Sequence, residues 1–359
     1  GIGVVEYEDV VVFVRVLYVF RIVHQRIFEI GDVVDVDIEI ILVDDGSTDS
    51  SGEICLRLAD EDKNIKVFSQ INKGASAARN TGLDHAAGEY VMFLDADDIY
   101  VNNAVDQEIL NECRKGYDVI MCSSLTANVD RDRYGVDMRM GEGIFPGGQA
   151  YPISGHFASC LYRRKMLEDS HVRFDEGIHL NEDETFKMKA MYAASRIRTK
   201  AKFLYIYGIT PGSVRYRDRH IYDFVEAWEK TYEWLQQYGS NGNLVQAEAY
   251  VSQKIVSRQL LYAKLYVQQG DGKAALLQEL ERIGALEKLK KLPIEEMIPA
   301  QRKDLELFQE GTGKFVRWAR WEGWKIWLGR MLLKVRAVRR MRDRRKFRWG
   351  GEVLNEGLH

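Results

Sequence analysis

EYVMFLDADDIY, residues 89–100, places three carboxylates, Asp95, Asp97 and Asp98, directly after the uncharged run Tyr90–Leu94. A short apolar run preceded by Gly88 reads as a buried strand over Tyr90–Leu94. Like charges this close repel, and a desolvated carboxylate without a partner costs several kcal/mol or titrates to neutral. The strand end therefore calls for a positive partner.

Working outward, Val10–Val16, Ile38–Val43 and Ile65–Phe68 are further short, β-branched runs that read as strands. Helix patterns separate them. One covers Arg21–Ile30, one follows DDGSTDSSG to about Asp60 with Ser50 or Asp49 as its cap, and one follows NKG up to Gly88. This alternation predicts an α/β fold: a mostly parallel sheet with helices on both faces. Ligands of such sheets bind at the carboxyl ends of the strands. Asp44 and Asp45 stand at one such end, Asp95 and Asp97 at another. Downstream, a helix is expected over Ala104–Gly116, a strand over Asp118–Ser123, and strands and loops over 124–157. From about Asp218 to Leu292 the pattern changes to long amphipathic helices.

Composition narrows the class. With 46% hydrophobic residues and only 5 Pro among 359, the chain can bury a sizeable core, which excludes disordered and fibrous proteins. Cys55, Cys113, Cys122 and Cys160 form no C-x-x-C pair and have no His cluster nearby, so reduced, buried thiols are expected. No run reaches the ~18–20 apolar residues of a membrane span. The apolar stretch Val10–Val23 is broken by Arg15 and Arg21 and lacks a signal-peptide layout. A cytoplasmic location is expected.

The acidic strand ends suggest a chemistry. A diphosphate leaving group develops negative charge that a carboxylate-held divalent cation neutralises. A lone D-x-D is an ordinary solvated turn, and Asp44–Asp45 before Gly-Ser an ordinary cap; two such ends on neighbouring strands are more specific. Together, IEIILVDDGSTDSSGEIC, NKGASAARNTGLDHAAGEYVMFLDADD and FDEGIHLNEDETF resemble the family 2 glycosyltransferases of GT-A fold, over roughly Val10–Arg215. These are inverting enzymes that use a nucleotide diphosphate sugar, usually with Mn²⁺ or Mg²⁺. The resemblance implies that Asp45 accepts from the base with Asp44 in support. It implies that Lys73, Gly74, Arg79 and Asn80 line the nucleotide pocket, with Arg79 also able to sit against phosphate. Asp95 and Asp97 match the D-x-D that contacts ribose and metal, with the small Ala96 leaving room between them. Asp183, with Glu182 beside it, matches the general base.

That last role has its own logic. An acceptor hydroxyl is a poor nucleophile, so a carboxylate must take its proton as attack proceeds. Attack comes from the face opposite the nucleotide, so the base belongs on a different segment from Asp97. Asp183 satisfies this; Asp98, beside the metal ligand, does not. Taken alone, NEDET is an ordinary acidic helix start. Three departures from the family pattern stand out. VRVLY (Val14–Tyr18) replaces the usual Pro-x-Tyr-Asn turn. Ala158, Ser159 and Cys160 replace a Trp. Gly208 and Ile209 fall where an Arg or His is expected near the diphosphate, leaving Arg215 or His220 as substitutes.

The expected domains are a GT-A domain over 1–217 (nucleotide part to about 123, acceptor part 124–217), a helical region over 218–312 and a basic tail over 313–359. Lys314–Trp349 holds fourteen Lys and Arg against Glu322 and Asp343, about +12, which leaves about −15 elsewhere on a chain of net charge −3. Five of the seven Trp lie there too. Trp327, Leu328, Met331, Leu332, Val335 and Val338 share a helix face flanked by cations, which suits an anionic membrane surface. Docking on the acidic remainder, or nucleic acid, are the weaker readings. The donor is expected to be a UDP-sugar and the acceptor a glycan or lipid-linked saccharide. Rival readings are a non-catalytic GT-A-like scaffold and a Mg²⁺-dependent phospho-acceptor receiver; the receiver lacks a later strand ending in Lys. Nothing in the sequence fixes an oligomeric state.

Overall fold

The structure, a computed structural model, describes residues 10–16, 38–96, 98–128, 133–148, 155–208, 222–239, 243–270 and 272–333; residues 10–16, 128, 133–134 and 329–333 are described by their backbone alone. The expected helix over Arg21–Ile30, and Arg215 and His220, lie outside these residues.

Two compact units separate by their internal contacts. The first is built on one sheet. Its strands β1 (Val10–Val16), β2 (Ile38–Asp45), β3 (Ile65–Gln70) and β4 (Tyr90–Asp95) run parallel in the order β3-β2-β1-β4. Helix α1 (Ser51–Glu61) links β2 to β3, and α2 (Ala75–His85) links β3 to β4. Ile41, Leu42, Val91, Met92 and Phe93 are at most 1% exposed, which is why the centres of β2 and β4 read as apolar runs. Ser50 takes the cap position of α1 but its side chain makes no capping bond; Asp49 Oδ1 instead accepts from Ser51 N at 3.0 Å.

Beyond β4 the sheet is mixed. After β5 (Ile99–Tyr100) and α3 (Gln107–Arg114) come β6 (Val119–Asn128), β7 (Arg133–Met138), β8 (Gly143–Pro146) and β9 (Cys160–Arg163). Strand β9 lies antiparallel between β4 and β6, and β10 (Arg196–Gly208) runs parallel to β6. Helices α4 (Arg164–Asp169) and α5 (Glu182–Ala193) stand between β9 and β10. The helix expected from Ala104 starts only at Gln107, because Asp106 caps it by accepting from Glu108 N and Ile109 N, both at 3.1 Å.

Aromatic packing joins the strand carrying Asp95 to the helix carrying Asp183. The ring of Phe93 lies 5.2–5.3 Å from Phe174 and Phe186 and 5.9 Å from Phe157 and Tyr162. Phe174 and Phe186 stack face to face at 3.9 Å. All five rings are at most 3% exposed, and each such pair contributes about 0.5–1.5 kcal/mol beyond its burial. The four cysteines are free and buried, as expected.

The second unit lies within residues 214–237 and 244–346 and is helical. It comprises α6 (Asp223–Tyr238), α7 (Leu244–Gln268), α8 (Lys273–Arg282), α9 (Leu286–Lys291), α10 (Arg302–Glu310) and α11 (Thr312–Leu333). Leu260, Leu276, Leu289, Leu305 and Phe315 are fully buried in its core. Phe315, Val316 and Ala319 bind the first turns of the basic tail into that core. Further along α11, Trp321, Trp324 and Trp327 are 45–58% exposed.

Candidate active site

The register of the sheet sets the site's width. Val16 of β1 pairs with Asp44 and Arg15 pairs with Asp95, so the two acidic ends flank the end of β1. Two inter-strand spacings separate them, about 10 Å. Ligands of open α/β sheets bind outside such strand ends, where the strand order reverses; here it reverses between β1 and β4.

Asp45 is fully buried and organises the turn opposite it. Its Oδ1 accepts from Gln70 Nε2 and Lys73 N, and its Oδ2 from Gly74 N, all at 2.8 Å. Gly74 caps α2 at φ 88°, a left-handed conformation that favours glycine. Lys73 is exposed, and its ammonium has no partner among the described residues. Asp44 Oδ1 accepts from Ser47 N at 2.9 Å. A Cβ on Gly52 would lie 2.8 Å from Asp44 Oδ2, so glycine there makes room for this carboxylate.

The positive partner that Asp95 called for is Arg79. The guanidinium donates from Nη2 to both Asp95 oxygens at 2.7 and 2.9 Å, and from Nη1 to Glu182 Oε1 at 3.2 Å. It is 6% exposed and sits 4.7 Å from the centre of the Phe157 ring and 5.1 Å from that of Phe174. Burial pulls the guanidinium's pKa down, but the charges of Asp95, Glu182 and Asp183 together raise it. It stays charged. Its Nε is buried without a hydrogen-bond partner.

Asn80 also came from the second motif, and its side chain bonds Phe174 and Glu176. It donates to Phe174 O and Glu176 Oε1 and accepts from Phe174 N at 2.9–3.3 Å. This clasp, with Ser76 Oγ donating to Ile178 O at 3.4 Å, ties α2 to the segment leading into α5.

Asp98 has a separate task. It is buried, Tyr205 Oη donates to its Oδ2, and Gly208 N donates to its Oδ1 at 2.6 Å. Its own N donates to Asp95 O at 3.0 Å, closing the turn around Ala96. Asp97 lies outside the described residues. Among the described residues no three His, Cys, Asp or Glu side chains group to hold a metal.

Glu182 and Asp183 open α5, where the helix N-terminus favours negative charge. Asn181 enters the helix at φ 71°, and its amide donates to Glu184 Oε2 at 2.6 Å. Asparagine tolerates this left-handed backbone better than most residues. Burial, then the charge of Asp183, pushes the Glu182 carboxyl up, against the opposing pull of Arg79. Asp183 is half-buried, and its Oδ1 accepts from Glu184 N at 2.7 Å. Its charge acts on Arg79, Glu182 and His156 alike. The expected residues Asp95, Arg79, Glu182 and Asp183 thus form one network, with Asp44, Asp45, Lys73 and Gly74 across the end of β1. Sequence reading missed three contributors. Gln70 and Tyr205 carry no motif signal, and His156 is a lone histidine in a Gly- and Arg-rich stretch.

Residues 30–173 match the model of glycosyl transferase family 2. The uncharacterized glycosyltransferase EpsJ of Bacillus subtilis is 35% identical over 188 residues, 50% of this chain and 54% of that protein. The cholesterol galactosyltransferase of Borreliella burgdorferi is 43% identical over 186 residues, 47% of this chain and 51% of that protein. The chain spans about half the length of these curated relatives. The crystal structure of S. aureus TarS 1-349 shares the fold at a TM-score of 0.59 and 21% identity, covering 89% of this chain and 92% of that one. The same protein in complex with UDP-GlcNAc aligns at a TM-score of 0.60. Sheet order, acidic strand ends and sequence likeness agree: residues 30–173 form a family 2 glycosyltransferase domain, on a GT-A fold shared with TarS.

Proposed function

We propose that this protein is an inverting glycosyltransferase that moves a sugar from a UDP-sugar to a glycan or lipid-linked saccharide, in the synthesis of a cell-surface polysaccharide. The observation that carries this reading is the bridge made by Arg79 between Asp95 and Glu182. It joins the strand end suited to a diphosphate with the helix start suited to a base. A UDP donor is supported by the solved complex of TarS with UDP-GlcNAc.

In this reading Asp45 and Asp44 hold the nucleotide through the turn they organise, and the Lys73 ammonium meets its negative charge. Asp183 accepts the proton of the acceptor hydroxyl as that oxygen bonds to the anomeric carbon. The bond from the anomeric carbon to the diphosphate breaks on the opposite face, so the configuration inverts. Arg79 keeps Glu182 and Asp95 in place and spreads positive charge across the site.

Asp95 and Asp97 would hold Mn²⁺ or Mg²⁺. Asp95 is a hard oxygen donor with its side chain 22% exposed. A carboxylate has about four acceptor sites, so one bonded to Arg79 can also ligate an ion. Mg²⁺ characteristically takes one or two carboxylates plus substrate phosphates. Bound there, such an ion supplies charge neutralisation for the departing diphosphate.

Residues 314–349 make peripheral contact with an anionic membrane, at the inner face of the cytoplasmic membrane. Support comes from α11, where Arg317, Trp321, Trp324, Lys325 and Trp327 are exposed and the acidic Glu322 is paired with Lys264. No helix among the described residues is long and apolar enough to cross a membrane. The deciding experiment incubates the protein and Mn²⁺ with UDP-, GDP- and dTDP-sugars and measures nucleotide release and binding. UDP release is expected; neither release nor binding with any donor sinks the reading.

A further inference from the structure

One histidine of the site, His156, takes no part in the chemistry above. His156 caps the 3₁₀ turn Phe157–Ser159, its Nδ1 accepting from Ala158 N at 3.3 Å. A neutral imidazole whose Nδ1 accepts carries its proton on Nε2. Burial lowers the ring's pKa, outweighing the carboxylates of Asp183, Asp95 and Asp137 that raise it. The ring is therefore a neutral donor.

Its position is fixed from several sides. The imidazole stacks on Tyr205 with centroids 4.9 Å apart and 21° between the planes, and lies 5.3 Å from Phe157 and 5.6 Å from Tyr207. Lys187 of α5 donates to Gly155 O at 2.5 Å, binding the preceding residue to the helix that begins with Glu182 and Asp183. Phe157, the following residue, lies beneath Arg79 and so beside Asp95. Among the described residues no group accepts from His156 Nε2.

Asp95 marks the diphosphate side of the reaction and Asp183 the acceptor side; what lies between them is the sugar in transit. Ionised carboxylates only accept hydrogen bonds. A sugar oxygen between them needs a donor, and His156 provides one. We infer that His156 Nε2–H donates to an oxygen of the transferred sugar and so helps to select and orient the donor. This rests on the nucleotide-sugar reading above.

Two variants separate this role from the cap. His156→Asn keeps an oxygen near the Nδ1 position for the cap but loses the remote donor. His156→Gln places an amide N–H near the position of Nε2. Calorimetry with Mn²⁺ compares affinities for UDP, UDP-GlcNAc, UDP-glucose and UDP-galactose. H156N is expected to leave UDP affinity unchanged and to weaken at least one UDP-sugar by about three- to tenfold, the weight of one hydrogen bond; H156Q recovers most of that loss. An unchanged ratio of UDP-sugar to UDP affinity in H156N overturns the inference. Equal losses for UDP and UDP-sugars also overturn it, since they mark an effect on the fold. A wild-type chain that binds no UDP overturns the nucleotide-sugar reading itself, and this inference with it.

Discussion

Replacing Arg79 by methionine removes the guanidinium that bonds Asp95 and Glu182 together while keeping most of the side chain's volume under the Phe157 and Phe174 rings. Breaking a buried pair by deleting one partner costs about 3–5 kcal/mol. The side chains of Asp95 and Glu182 remain 22% and 15% exposed, so water recovers part of the loss. About 3 kcal/mol is expected, the lower end of that range. For a domain of this size that lowers Tm by roughly 6–12 °C. The penalty depends on pH. Glu182 already has its carboxyl pushed up, by burial first and by Asp183 second. A carboxyl raised in this way lowers stability as pH climbs from its unfolded value through its folded one. Removing Arg79 raises it further, so the R79M penalty is larger at pH 7.5 than at pH 5. Urea or thermal unfolding at both pH values reads this directly. Arg79→Lys, which keeps a charge but loses the two-pronged bond, falls between wild type and R79M. An R79M variant within about 0.5 kcal/mol of wild type, or equally destabilised at both pH values, refutes the reasoning.

Other expectations follow from single contacts. Asp183→Asn is expected to lower kcat for sugar transfer by about 10²–10⁴-fold while UDP titrations give wild-type affinity; an active variant removes Asp183 from the base role. Burial first, then the Asp98 charge, raises the Tyr205 phenol's pKa and keeps it a donor. Tyr205→Phe is therefore expected to cost about 1.5–3 kcal/mol in urea unfolding; a neutral result shows that the Asp98 clamp does not need it. Gly147→Ala would set its Cβ 1.3 Å from the backbone oxygen of Ala194, whereas Gly141→Ala meets nothing within 4 Å. The first is expected to lose about 1–3 kcal/mol or more and the second to stay within about 0.5 kcal/mol; equal Tm values for the two contradict the packing. Sedimentation with phosphatidylglycerol vesicles, but not phosphatidylcholine ones, is expected of the full chain and is weakened by Trp324→Ala with Trp327→Ala; unchanged binding removes that face from the contact.

Strands β2 and β4 were legible because each is buried along most of its length and so spells an apolar run, whereas the partly buried β3 showed only Ile65, Val67 and Phe68. Their carboxyl-end acids were legible because residues that cannot be buried unpaired follow directly on residues that are buried. The pairing of β9 was not. CLYR reads as a short strand, but its antiparallel place between β4 and β6 depends on partners 39 to 73 positions away. Likewise DADD shows three acids without saying which meets which cation. Asp95 pairs with Arg79, whereas Asp98 turns to Tyr205 and Gly208, more than a hundred residues later. Arg79 and Asn80 are neighbours in one motif, yet successive helix positions point in different directions. One reaches the strand end and the other clasps Phe174. His156 left no trace because a cap, a stack and an unused donor are all tertiary facts.

For inversion, Asp183 must stand across the transferred sugar from the diphosphate. A crystal structure with a bound UDP-sugar and Mn²⁺ tests this most directly. The predicted result has the diphosphate beside Asp95, with the Asp183 carboxylate on the opposite face of the anomeric carbon, within hydrogen-bond reach of an incoming hydroxyl. A nucleotide bound elsewhere, or an Asp183 on the diphosphate side of the sugar, would contradict it.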